Sequence, residues 1–224
     1  MNTPTKITLS RIIAIGLMIV GLITLDIIAG VNGTILAPIT HLGLGVTHIN
    51  IIGLVLCILF ILAASTDALD GHLARKHNQV TDLGKFLDPV ADKLLVNSLL
   101  IYLCIKHSYM APQYVIPYML VLLMIARDIV VDSLRFIAAK KNVVIAANIF
   151  GKAKTVAQMV TIPIMLLNGW PFSYFDRQWS SQLRIVSFFV YITTILSLIS
   201  GIIYVVQNRN VLKDGSTKAH KRSK

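Results

Sequence analysis

Glutamate is absent from this 224-residue chain: all ten acidic side chains are aspartate. Charged residues of every kind make up only 14% of the sequence, where roughly a quarter is usual for a water-soluble domain. There are two cysteines, Cys57 and Cys104, both inside apolar runs. That excludes a disulfide framework and makes them small core residues. The six histidines show no ligand spacing, which leaves them structural or at the surface. Neither an internal repeat nor a long low-complexity linker interrupts the chain. No A-x-A cleavage site follows Lys6 and Arg11, so the first apolar run reads as a spanning helix and not as a cleaved signal.

What the chain has in plenty is apolar length. Hydrophobic residues make up 55% of it and the mean hydropathy is +0.73, too oily for a soluble domain. The pattern predicts an all-α, polytopic membrane domain over residues 1–207 and a basic tail at 208–224. About 20 apolar residues cross ~30 Å of hydrocarbon as a helix. Six helices are expected, at residues 12–30, 49–75, 88–105, 114–138, 150–167 and 183–206, after a polar lead at 1–11. The second stays apolar to Ala64 and then carries Asp67, Asp70 and Arg75, with Lys76-His77-Asn78 ending it. The third has an apolar run of only 94–105 and spans only if it starts near Asp88. There Pro89 suits an early helical position and the carboxylates favour the positive end of the helix dipole. Asp82 is then a solvated loop acid. Trp170, Phe172, Tyr174, Phe175 and Trp179 form an aromatic connector suited to a membrane interface.

The formal charge of +11 sits on connectors and tail. Residues 66–87, 139–154 and the tail carry most of the Lys and Arg, whereas 31–48 and 106–113 are nearly bare. The positive-inside rule then puts both termini in the cytoplasm, with six transmembrane helices in the cell membrane. Every charged half-helix falls on that same side, which predicts one polar cavity open to the cytoplasm. Asp26, at the outer end of the first helix, reads as interfacial. The tail is a topology signal and a contact with anionic membrane lipids, worth about 1 kcal/mol per basic residue at the surface. Basic charge of this kind is routine at a membrane's inner face, so no nucleic acid partner is expected.

Five of the ten aspartates crowd into residues 65–93, in the pattern D-x2-D-G-x2-A-R-x8-G-x3-D-x3-D from Asp67 to Asp92. Asp67, Asp70, Gly71 and Ala74 share one helical face, and Asp88 and Asp92, four apart, share another. Like charges at that spacing repel, so a divalent cation is the simplest compensator. Oxygen-only ligands point to Mg²⁺ or Mn²⁺ and away from zinc. Ionisable groups within membrane spans usually line functional cavities, here Asp67, Asp70, Asp88 and Asp92 with Arg127, Arg135 and Lys152 opposite. Two ions could clamp a pyrophosphate, the cations could hold a second, anionic substrate, and Arg75 could pair with a phosphate oxygen. Gly71 and Ala74 lack bulk and leave room for a nucleotide. Asp132 is expected to pair with Arg135, three residues on. The plain alternative for Lys152 and Lys154 is a topology signal; for Arg127 and Arg135 it is a snorkelling or intrahelical ion pair. A cation or proton transporter would also use intramembrane aspartates, but these cluster at one edge with none paired across the midplane.

The eight fixed residues of that pattern resemble the signature of the CDP-alcohol phosphatidyltransferase family. The resemblance implies a CDP-alcohol substrate and two divalent ions, Mg²⁺ or Mn²⁺. It makes Asp67, Asp70 and Asp88 metal ligands, Asp92 both ligand and general base, and Thr8, Gly71, Ala74, Arg75, Thr81 and Gly84 the surroundings of the CDP-lipid. Three further stretches, residues 6–11, Thr81 through Leu95, and 126–155, are similar to one bacterial branch of the family. For that branch the expected substrates are CDP-diacylglycerol and sn-glycerol 3-phosphate, with Arg127, Arg135 and Lys152 meeting the acceptor phosphate. A cardiolipin synthase of the CDP-alcohol type, with phosphatidylglycerol as acceptor, is the sibling alternative. Thr5, Gly16 and Asp132-Ser133 depart from the branch's usual Asn, Pro and Thr-Gly. Small-residue helix faces are compatible with a homodimer.

Overall fold

Leucine, isoleucine and valine fill the long runs, and six of those runs are helical. The computed structural model describes residues 3–32, 41–44, 47–76, 82–105, 114–141, 149–173, 175 and 184–209. In chain order these form α1 (Thr3–Asn32), β1 (His41–Leu44), β2 (Thr47–Asn50), α2 (Ile51–Lys76), α3 (Asp82–Cys104), α4 (Tyr118–Lys140), α5 (Ile149–Leu166) and α6 (Ile185–Gln207). α6 packs against both α4 and α5, and α1 lies along α3. α3 also touches α4 and α5, while α2 leans on α1, α3 and α5.

Three helix starts and one connector differ from the sequence expectation. α1 begins at Thr3, so the polar lead is helical. Its buried face is Thr8, Arg11, Ile15 and Leu22, a helical spacing that carries two polar residues into contact with the rest of the bundle. α3 begins at Asp82, not near Asp88, which leaves Pro89 in the helix interior and makes Asp82 the first helical residue instead of a loop acid. α4 begins at Tyr118, not Tyr114. A residue preceding proline is kept out of the α region, so Ile116, before Pro117, stays extended and its N–H donates to the Leu103 carbonyl at 3.0 Å. The connector after α1, to which the sequence reading gave no regular element, contains a two-stranded antiparallel hairpin in which His41 faces Asn50 and Leu44 faces Thr47. Asn50 then caps α2, its Oδ1 accepting from the Ile52 N–H at 2.8 Å.

Phe60, Leu99, Met124, Ile162, Leu166 and Val186 are almost fully enclosed between the helices. The outward faces are apolar too: Leu17, Leu122 and Ile202 are 68%, 58% and 64% exposed. Helices that are hydrophobic all round suit a hydrocarbon environment. Among the described residues, Thr8–Ile28 and Ile185–Gln207 are long and apolar enough to cross a membrane, and Ile51–Thr66 is a shorter apolar stretch. In α3, α4 and α5 charged residues interrupt the apolar runs, and several of those charges build the site.

Candidate active site

Each of α3, α4, α5 and α6 contributes to a cavity of about 470 Å³. α4 is apolar along most of its length, but Arg127, Asp128, Asp132 and Arg135 interrupt its second half. Asp128 and Arg135 are one pair of turns apart, and both line the cavity with Asp132. α5 begins with Lys152 and Lys154 on the same side. α3 supplies Asp92 and Lys93, and α6 supplies Tyr204.

Asp128 is the centre of the charged network. Lys154 Nζ donates to both of its oxygens, at 2.8 and 2.7 Å, and Arg127 donates to Oδ1 at 2.7 Å. Both Asp128 and Lys154 are buried. Two cations therefore share one carboxylate, a charge-assisted arrangement that offsets the cost of removing all three from water. Arg127 also donates to Ser200 Oγ on α6 at 2.6 Å. Two helical turns further along α4, the Arg135 guanidinium lies over the Tyr204 ring, 5.4 Å from its centroid, and its Nε donates to the Tyr204 hydroxyl at 3.1 Å. Such stacking leaves the edge of an arginine free to meet an anion. Lys93 is paired with Asp132 across the gap between α3 and α4.

Asp92 is half exposed and lines the same cavity. Arg11, whose side chain is only 5% exposed, sends a guanidinium nitrogen to within 3.4 Å of Asp92 Oδ1. Around the cavity, among the described residues, Lys93, Arg127, Arg135, Lys152 and Lys154 outnumber Asp92, Asp128 and Asp132. A positive excess in a partly enclosed space attracts an anionic ligand, and a carboxylate at its edge can accept a proton from one.

The structure thus brings together Asp92, Arg127, Arg135 and Lys152 from the sequence-predicted set. Thr8 is buried in the face that α1 presents to the bundle. Asp67, Asp70, Gly71, Ala74 and Arg75 lie on the last turns of α2, and Gly84 and Asp88 on α3; their side chains lie outside the described residues, as does Thr81 altogether. The backbone there is helical, so the three- and four-residue spacings do place each aspartate pair on one helix face. No group of three or more metal-ligating side chains occurs among the described residues, and the side chains of Asp67, Asp70 and Asp88 are not among those described.

One expectation is corrected and one alternative is set aside. Asp132 pairs with Lys93 and not with Arg135, because tertiary packing brings α3 closer than the neighbour one turn along. Lys154 is a buried partner of Asp128 and not a surface topology signal. Arg11, Lys93, Ser200 and Tyr204 carry site contacts that the sequence reading did not assign. For Arg11 the signal was present, since it shares a helical face with Thr8 and Ile15.

A family model described as CDP-alcohol phosphatidyltransferase matches residues 1–206. A Bacillus subtilis protein named CDP-diacylglycerol–glycerol-3-phosphate 3-phosphatidyltransferase is 36% identical over 214 residues, 95% of this chain and 97% of that protein. Mycoplasma pneumoniae has a protein of the same name, 35% identical over 183 residues, covering 79% of this chain and 76% of its own. A third protein so named, from Rickettsia bellii, is 39% identical over 138 residues, 61% of this chain and 72% of its own.

Proposed function

The chain belongs to the CDP-alcohol phosphatidyltransferase family, and from that premise we propose that it transfers the phosphatidyl group of CDP-diacylglycerol to sn-glycerol 3-phosphate. The products are phosphatidylglycerophosphate and CMP. The names of its relatives support this reaction, and the cation-rich cavity with Asp92 at its edge is the observation in this chain that carries it.

The family generally depends on a divalent cation. The all-oxygen donor set fits a hard ion, and Asp92 is open to the cavity. Asp67, Asp70, Asp88 and Asp92 would hold Mg²⁺ or Mn²⁺, two ions in all, which when bound neutralise the diphosphate and stabilise the leaving phosphate. The remaining work falls to side chains of this chain. Thr8, Gly71, Ala74, Arg75, Thr81 and Gly84 surround the CDP-lipid. Arg127, Arg135 and Lys152 bind the phosphate of the acceptor, and their positive excess suits a dianion. That placement turns the acceptor hydroxyl toward Asp92, whose carboxylate accepts its proton. The hydroxyl oxygen forms a bond to the phosphorus that bears diacylglycerol, the bond from that phosphorus to CMP breaks, and CMP leaves with the electron pair. Asp92 returns its proton to water.

The helices cross the cell membrane six times, with both termini and the cavity mouth on the cytoplasmic side. This arrangement is supported by the concentration of Lys and Arg at that edge and by the outward apolar faces.

Purified protein supplied with Mg²⁺, CDP-diacylglycerol and sn-glycerol 3-phosphate should release CMP, and a chelator should stop it. Release that requires a different acceptor would reject the assignment of sn-glycerol 3-phosphate and retain the family chemistry.

A further inference from the structure

Arg127 is held from the side by α6, the helix whose Tyr204 also meets Arg135. Its NH2 nitrogen donates to Ser200 Oγ at 2.6 Å, and the next residue on α6, Gly201, is buried beneath its stem. A Cβ built at position 201 would fall 2.5 Å from Arg127 Cγ, 3.1 Å from Nε and 3.4 Å from Cδ. No side chain larger than hydrogen fits there without displacing the arginine. Glycine is disfavoured in helix interiors and is kept where another group must approach the backbone closely. The third fixed point is Asp128, at 2.7 Å from NH1. Nε itself is buried without a hydrogen-bond partner, so the guanidinium is placed by its two terminal nitrogens and by the shape of α6.

The charge in this cluster is unbalanced. Asp128 is already gripped through both oxygens by the buried Lys154, so Arg127, mostly enclosed itself, shares that carboxylate with another cation. A buried cation lacking a full counter-charge is favoured to take an anion from outside. An arginine stem is flexible, and fixing it in advance lowers the entropy lost when that anion binds.

We propose that Ser200 and Gly201 are positioning residues for the acceptor site, with α6 seating Arg127 in the pose that receives the phosphate of an anionic acceptor. The inference rests on the proposed function, since it assigns Arg127 to the acceptor and not to the CDP-lipid. Ser200 supplies the hydrogen bond that sets the guanidinium's orientation, and Gly201 supplies the groove in which its stem lies.

The test is steady-state kinetics on the full-length protein in detergent–lipid micelles, comparing Ser200→Ala and Gly201→Ala with Arg127→Ala. Each α6 variant should raise KM for sn-glycerol 3-phosphate about tenfold, the scale expected for one misplaced charge-assisted hydrogen bond. KM for CDP-diacylglycerol should stay within about twofold. If Gly201→Ala does not fold, Ser200→Ala carries the test, because it removes a single oxygen and raises helix propensity. Equal rises in both KM values would overturn the proposal in favour of a plain α4–α6 link. An Arg127→Ala defect that neither α6 variant shares would overturn the seat and leave the function standing. Wild-type protein that neither binds nor converts sn-glycerol 3-phosphate would overturn both.

Discussion

At the scale of single residues, Asp92 and Asp128 have opposite duties. Asp92 is half exposed and lines the cavity, where the proposed reaction makes it the base. Asp92→Asn should lower turnover at least ~10²-fold, the scale for losing a general base, while leaving the unfolding temperature near wild type. Turnover at the wild-type rate would remove Asp92 from the chemistry. Asp128 is buried and holds two cations. Asp128→Asn leaves Arg127 and Lys154 under-compensated inside the bundle, at a cost of about 3–5 kcal/mol. Thermal unfolding in detergent should show that loss, and adding Lys154→Met should recover part of it; an unchanged midpoint in the single variant would contradict the buried network. The sequence made Asp92 legible through its fixed spacing from Asp88. It hid the role of Lys154, since counting basic residues cannot distinguish a surface lysine from one that meets an aspartate 26 positions earlier. The Lys93–Asp132 pair was hidden for the same reason.

At the scale of elements, helix identity was legible and helix ends were less so. The apolar runs located all six helices, because a period near 3.6 over twenty residues has few alternatives. Ends depend on contacts that hydropathy does not register. Residues 3–10 looked like a polar lead, yet α1 continues through them, with Thr8 and Arg11 buried on the face it turns to the bundle. Pro117 moved the start of α4, a local signal that an apolar window smooths over. Asn50 is an end that the local chemistry does specify. Asn50→Ala removes the acceptor of the Ile52 N–H and should cost about 1 kcal/mol. Denaturant unfolding monitored by circular dichroism would measure it, and a loss below about 0.3 kcal/mol would mean that the cap contributes nothing.

At the scale of the whole molecule, the bundle buries charge and exposes hydrocarbon, the reverse of a soluble protein. The cavity is lined by the stretches of α3, α4 and α5 in which charged residues interrupt the apolar runs. Asn2→Cys and Ser223→Cys variants should be labelled by a membrane-impermeant thiol reagent only after cells are permeabilised, whereas Ser108→Cys should be labelled in intact cells. The reverse pattern would invert the proposed topology. Cys57 is buried and Cys104 partly so, which limits the native background. Fold class and the location of the acidic motif could be read from the chain because both are local in sequence. The cavity's other wall could not be read fully, because α4, α5 and α6 form it by packing across tens of residues.

The most direct test is an acceptor screen with radiolabelled CDP-diacylglycerol, offering sn-glycerol 3-phosphate, phosphatidylglycerol, myo-inositol and serine in parallel. The account predicts label in phosphatidylglycerophosphate alone, with CMP released in equal amount. Transfer to phosphatidylglycerol or to an uncharged alcohol, with sn-glycerol 3-phosphate left untouched, would contradict it.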